Sequence, residues 1–195
     1  HGHHRRQRQM CIRDSTYSSM LDLGTQMPNF ELENAVNNEI FSSSYFNSTG
    51  PKLVMFICNH CPYVIHYHKE LVKLSQDYKD HLDFVAISSN DIMNYPEDSP
   101  EKMKELAIEL GFFFPYLYDE TQEVAKSFKA ACTPEFYLFN NEKTLEYRGR
   151  LDDSSPGNGI EPSGIDVREA IENLLNGEEV NQAQHPSMGC NIKWK

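Results

Sequence analysis

The sequence predicts an α/β domain with a central mixed β-sheet flanked by helices, and three observations carry that expectation. Short apolar runs at 52–57 and 82–88 bracket a segment, 62–79, whose apolar residues fall at helical spacing, which is a βαβ unit. Two further strand-like runs, 135–139 and 144–148, are joined across Asn140-Asn141, a pattern suited to a tight hairpin. A last helical pattern, Val167, Ala170, Ile171 and Leu174, stops at Gly177. The 195 residues suffice for one well-buried core rather than two, and 39% hydrophobic with 24% charged residues is a globular composition.

The first fifteen residues are set apart from this reading. Arg5-Arg6-Gln7-Arg8-Gln9-Met10-Cys11-Ile12-Arg13-Asp14-Ser15 resembles the in-frame translation of a sequencing-library adaptor and is read as non-native. Residues 1–15 are therefore excluded and 16–195 form the domain, with a core at about 21–177 and a tail at 178–195. Cys11 leaves the cysteine count, and His1, His3 and His4 leave the metal candidates. The formal charge of −11 becomes more negative, with 14 basic residues against 28 acidic ones.

Taken in order, residues 29–46 alternate polar and apolar around Asn37-Asn38, as an N-terminal hairpin extension would. The run 52–57 reads as a buried strand ending at Cys58. Val64, Tyr67, Leu71, Leu74 and Tyr78 mark the helix that follows, and Pro62 suits its first turn, where a missing N–H costs little. Ser99-Pro100-Glu101 opens a second helix with Met103, Leu106, Ala107 and Leu110 on one face and Gly111 as its stop. Asp119-Glu120-Thr121-Gln122 reads as a capping box for a short helix through Val124 and Phe128. The tail is polar and ends Gly189-Cys190-Asn191-Ile192-Lys193-Trp194-Lys195.

The acidic balance argues against nucleic acid or an anionic membrane surface as the main partner, and no run approaches the length of a membrane span. A cytoplasmic location is the expectation. Oligomeric state is not addressed by anything in the sequence.

Chemistry concentrates at Cys58-Asn59-His60-Cys61, where a buried strand hands over to an amphipathic helix. That handover places Cys58 at a helix N-terminus, whose unpaired N–H groups and dipole favour a thiolate, the nucleophile of disulfide exchange. Cys61, one turn on, is placed to close an internal disulfide. Three readings of the pair stand side by side. The first is a redox dithiol. The second is a copper or zinc site completed by His60, His66, His68 or a distant cysteine, although no second CxxC or HxxxH accompanies it. The third is two inert core cysteines. His60 either steadies the Cys58 thiolate or is an ordinary loop histidine.

A strand that hands over to CxxC and a helix, and then Thr133-Pro134 leading into a later strand, resembles the thioredoxin superfamily over residues 21–177. The resemblance implies a cis Pro134 lying against the cysteines, with the Thr133 backbone left free to pair with a bound substrate. Several phrases are most similar to the peroxiredoxin-like branch of the alkyl hydroperoxide reductase and thiol-specific antioxidant (AhpC/TSA) family. They are Leu23-Gly24-Thr25 with Pro28-Asn29-Phe30, Cys58 to Tyr63, Cys132-Thr133-Pro134-Glu135-Phe136, Tyr147-Arg148-Gly149-Arg150-Leu151-Asp152-Asp153, and Gly189 to Trp194. The implied activity is a thiol–disulfide oxidoreductase or antioxidant role in redox homeostasis. Cys58 would attack and Cys61 resolve, with His60, Thr133 and Pro134 in support. The redox-active disulfide would serve in place of a cofactor, and a protein or small-molecule thiol or disulfide would be the partner.

The sequence departs from peroxiredoxins where their chemistry lies. Val54 stands where their motif has proline, seven residues before Cys61, and Cys58 stands where it has threonine. No arginine stands beside Thr133-Pro134, although Arg148 or Arg150 could reach inward. Thiol peroxidase activity is therefore the weaker alternative. The chain also departs from ordinary thioredoxins, a resemblance that implies a carboxylate in 52–57 to take a proton from Cys61 and an aromatic before Cys58. Here 52–57 carries no carboxylate, and Ile57 stands before Cys58. Cys132 and Cys190 are extra redox candidates. Cys132, near Pro134, reads more readily as a small buried hydrophobe. Cys190 would resolve a disulfide by a swing of the tail, or serve as a structural contact.

Overall fold

The computed structural model describes residues 15–46 and 49–195. Among the described residues the strands are β1 (Ser15–Tyr17), β2 (Glu31–Asn34), β3 (Ile40–Ser42), β4 (Lys52–Phe56), β5 (Asp83–Ser88), β6 (Tyr116–Tyr118), β7 (Cys132–Thr133), β8 (Glu135–Phe139), β9 (Leu145–Gly149) and β10 (Met188–Asn191). The α-helices are α1 (Pro62–Tyr78), α2 (Pro100–Leu110), α3 (Glu123–Ser127) and α4 (Ile165–Leu175). Cys11 and the N-terminal histidines lie outside the described residues. Ser15, grouped with the non-native segment on sequence, begins β1.

Seven strands form the main sheet in the order β3-β2-β6-β5-β4-β8-β9. β4, β5 and β6 run parallel, whereas β8 and β9 run antiparallel, so the sheet is mixed as expected. β4 is buried along its whole length and its alternate residues feed two cores. Leu53, Met55 and Ile57 join α1 and α4 on one face through Val64, Leu71, Val167 and Ile171. Val54 and Phe56 join Phe30, Phe128, Tyr137 and Phe139 on the other. The apolar run 53–56 of β4 follows from this burial on both faces, and the buried Lys52 at its start donates its ammonium to Gly50 O and Asn141 O.

Local signals explain most element ends. Ser99 accepts a hydrogen bond from Lys102 N at the start of α2, and Gly111, at φ +75°, ends it. Asn38, at φ +61°, turns the β2–β3 hairpin. The β8–β9 connection is longer than the expected two-residue turn. Asn140 Oδ1 accepts from Glu142 N and Thr144 N, and Lys143 takes the left-handed conformation. The expected capping box is out of register. Gln122, at φ +65°, is the residue before α3, and the Asp119 carboxylate reaches past it to Val124 N and Ala125 N. β6 lies in the aromatic run 112–118, where periodicity gave no strand.

The largest difference is the tail. It is built into the protein through β10 (Met188–Asn191), the middle strand of a second, three-stranded sheet, β1-β10-β7. Cys190 faces Ser15 on one side and Thr133 on the other. Cys190, in β10, is buried in the core beneath α1 and α4, and Ile192, just past the strand, is buried in the opposite core.

Candidate functional site

The handover from β4 to α1 sets the site. Ile57 N still bonds to Ile87 O at 3.0 Å, after which the chain leaves the sheet. Cys61, rather than Cys58, is the residue at the helix mouth, its carbonyl accepting from Val64 N and Ile65 N. Cys58 sits three residues earlier, in the loop. The expectation that the helix end would favour a Cys58 thiolate is corrected accordingly.

Both sulfurs are closed off, with Cys58 at 1% and Cys61 at 0% exposure. Thr133 bridges them. Its Oγ1 is 3.5 Å from Cys58 Sγ, and its carbonyl oxygen accepts from Cys61 Sγ at 3.5 Å. The Thr133–Pro134 peptide bond is cis. No disulfide joins any two of the four described cysteines. Burial above all, then the hydrogen bond with Cys61 and the charge of Asp98, hold the Cys58 thiol well above its ordinary range, and the Thr133 hydroxyl opposes them.

Asp98 is the residue that the sequence did not reveal. It is fully buried, and its position between Tyr95-Pro96 and Ser99-Pro100 reads as a helix start with no mark of burial. Its Oδ1 accepts from Asn59 N at 2.8 Å and its Oδ2 from Asn90 Nδ2 at 2.9 Å. The same Oδ2 lies 2.5 Å from His60 Nδ1, an ion-pair contact whose N–H direction departs from good hydrogen-bond alignment. Burial by itself lowers the His60 imidazole. The contact with Asp98 and its charge outweigh that, so the net shift is upward. The His60 ring stacks on Tyr95 at 5.7 Å and 10°. Asn59 is tied down as well, its Oδ1 accepting from Tyr116 OH at 2.8 Å and its Nδ2 donating to Glu97 O at 3.0 Å. A carboxylate is therefore present beside the dithiol, delivered by the loop before α2 rather than by β4.

The remaining sequence candidates distribute as follows. Cys132 is buried next to the pair on β7, its thiol facing Ser187 O at 3.7 Å. Burial and the Glu135 charge hold it well above its ordinary range, consistent with a packed side chain. Cys190 is fixed in β10, and its backbone lies opposite Thr133. The Thr133 backbone is thus already paired by the tail, a correction to the expectation that it stands free for substrate. Arg148 is engaged by Leu21 O and Gln184, and Arg150 by Asp166. Neither arginine turns toward the sulfurs.

Among the described residues, Cys58 Sγ, a His60 nitrogen and an Asp98 oxygen lie within 4.8 Å of one another, the donor set that could converge on a cation. The Asp98 oxygens already serve Asn59, Asn90 and His60, so a cation there would have to displace those contacts. His66 and His68 do not join this cluster. His66 Nε2 bonds to Ser154 Oγ at 2.6 Å instead.

The family model for the AhpC/TSA family matches residues 23–148. A crystal structure of an uncharacterized conserved protein from Geobacillus kaustophilus is 52% identical and superposes with a TM-score of 0.91 over 93% of this chain and 96% of that one. A hypothetical protein from Sinorhizobium meliloti 1021 is 41% identical, with a TM-score of 0.90 over 92% of this chain and 98% of that one. The thioredoxin domain of a thiol-disulfide oxidoreductase from Bacteroides vulgatus, at 18% identity, superposes with a TM-score of 0.58 over 68% of this chain and 91% of that one. That last likeness is one of fold, and the fold is thioredoxin-like. No curated protein matches the chain.

Proposed function

The chain belongs to the AhpC/TSA family, and from that premise we propose that it is a thiol–disulfide oxidoreductase whose redox couple is Cys58 and Cys61. The observation that carries the reading is the convergence of both sulfurs on Thr133. A bridged pair is pre-positioned to join and separate without moving the backbone far.

In the reducing direction, the Cys58 thiolate attacks one sulfur of a partner disulfide and the other sulfur leaves as a thiolate. The Cys61 thiolate then attacks Cys58 Sγ, closing the internal disulfide and releasing the partner's second thiol. Two electrons and two protons pass to the partner, and the reverse sequence oxidises a partner dithiol. His60 and Asp98 set the local charge. With His60 neutral, the pair beside Cys58 carries one negative charge, which opposes a thiolate. With His60 protonated the pair is neutral, and that opposition is removed.

Insulin-disulfide reduction tests the reading. The native protein is expected to catalyse it, Cys58→Ser to abolish it, and Cys61→Ser to trap a mixed disulfide through Cys58. Unchanged turnover in Cys58→Ser would overturn the assignment. The peroxidase alternative lacks a positioned arginine, and the metal alternative requires Asp98 to give up its present contacts.

A further inference from the structure

A dithiol that exchanges with a partner must let a third sulfur approach along the S–S axis, yet Cys58 and Cys61 are almost completely enclosed. The C-terminal segment contributes directly to that enclosure. β10 pairs antiparallel with β7, setting Cys190 opposite Thr133, the residue that bridges both sulfurs. Gly189 lies so close to this edge that a Cβ there would collide with the Thr133 carbonyl and crowd Pro134 N. Ser187 Oγ donates to Pro134 O.

Past β10 the chain is clamped. Lys193 N donates to Asn90 Oδ1 at 2.9 Å, while Lys193 O accepts from Asp91 N at 2.8 Å and Gln122 Nε2 at 2.9 Å. Lys195 N donates to Gln122 Oε1 at 3.1 Å. Two routes then run from this clamp to the dithiol. Asn90, holding Lys193 with its oxygen, donates its Nδ2 to Asp98. The Lys193 ammonium lies 5.5 Å over the Tyr95 ring, which stacks on His60.

We infer that residues 187–195 are a strap that closes the dithiol, fastened to the same groups that order His60 and Asp98, and that it must lift from β7 before a partner disulfide can reach Cys58. The purpose of the opening rests on the oxidoreductase reading, but the closure itself does not. β10 is the middle strand of its sheet, so lifting it either strips β1 away or carries β1 along. Opening also breaks the Asn90 link and removes the Lys193 cation from Tyr95, so the charge environment of His60 changes as the sulfurs become accessible.

The test is peptide-resolved alkylation of the reduced full chain by iodoacetamide. Native Cys58 is expected to react about 100-fold more slowly than in the same protein unfolded in denaturant, as a locally gated site does. Gly189→Val is expected to raise the native rate about tenfold with the cooperative thermal transition retained, and Lys193→Ala to raise it by a smaller factor. Hydrogen exchange on the native protein covers the case in which Gly189→Val fails to fold. The amides of Cys190 and Ile192 are then expected to open at the rate at which Cys58 becomes alkylated. Native Cys58 reacting at the unfolded rate overturns the strap. So does a folded Gly189→Val with an unchanged rate, and so do tail amides that exchange far faster than Cys58 reacts. A protein with gated Cys58 that fails to reduce insulin would keep the strap and refute the oxidoreductase reading, so the two failures are distinguishable.

Discussion

The Asp98 carboxylate stands 2.5 Å from His60 Nδ1, and the Cys58 sulfur completes the cluster, all three donor groups lying within 4.8 Å of one another. An acid from the loop before α2 meets a base and a thiol that share the short loop between β4 and α1. Several measurable consequences follow from that meeting and from the packing around it.

Asp98→Asn is expected to drop the His60 pKa, because burial, which lowers it, would then act with less opposition. A histidine raised in the folded state contributes stability that is fully present below its unfolded pKa and lost as pH rises through the folded value. This contribution of the native protein is therefore expected to decline as pH climbs past about 6.5, and that component of the slope to vanish in Asp98→Asn. NMR titration of His60 and denaturant melts across that range check both parts.

Glu135 behaves differently. Burial pushes its carboxyl up to about 7, against the pull of hydrogen bonds from Ala131 N and Cys132 N. A raised carboxyl favours the folded state only while it holds its proton, so it costs stability progressively as pH rises from the ordinary 4.5 toward 7 and beyond. Glu135→Gln keeps an acceptor for both amides and removes the charge. It is expected to stabilise the protein at pH 8 by up to roughly 3 kcal/mol and to do little at pH 4.5. Equal effects at the two pH values would refute this.

Thr133→Val tests the bridge between the sulfurs. The hydroxyl lowers the Cys58 pKa and the isosteric methyl cannot, so the thiolate fraction should fall. The alkylation profile of Cys58 is expected to shift to higher pH, with the fold retained.

Phe128→Ala tests the core on the opposite face of the sheet. The ring packs on Phe56 and Tyr137, each at 5.4 Å between centroids, and on Phe30 and Phe139 at 6.1 Å. Its loss is expected to cost about 3–5 kcal/mol in urea denaturation while leaving the His60 titration in place.

Much of the architecture was legible because it is encoded locally. The apolar run of β4, the helical spacing of Val64, Tyr67, Leu71 and Leu74, and the Ser99 and Gly111 caps each announce their element without help from distant residues. β6 was not legible, since Tyr116, Leu117 and Tyr118 form a run too short for a period and become a strand only by pairing with β5 and β2. The tail reads as polar, and its burial depends on β1, β7 and the Asn90 and Gln122 side chains, none of which is near it in sequence. The cysteine pair was visible for its spacing. Asp98 was not, because a carboxylate between two prolines carries no local sign that Asn59, His60 and Asn90 converge on it.

The central claim is that Cys58 and Cys61 form one reversible redox couple. Equilibrating the protein in dithiothreitol buffers of graded poise, then alkylating and mapping the thiols by mass spectrometry, tests it most directly. The expected result is a single two-electron transition in which Cys58 and Cys61 become linked to each other while Cys132 and Cys190 remain alkylatable after unfolding. A disulfide joining either one to Cys132 or Cys190, or a lone sulfenic acid on Cys61 with Cys58 still reduced, would contradict it.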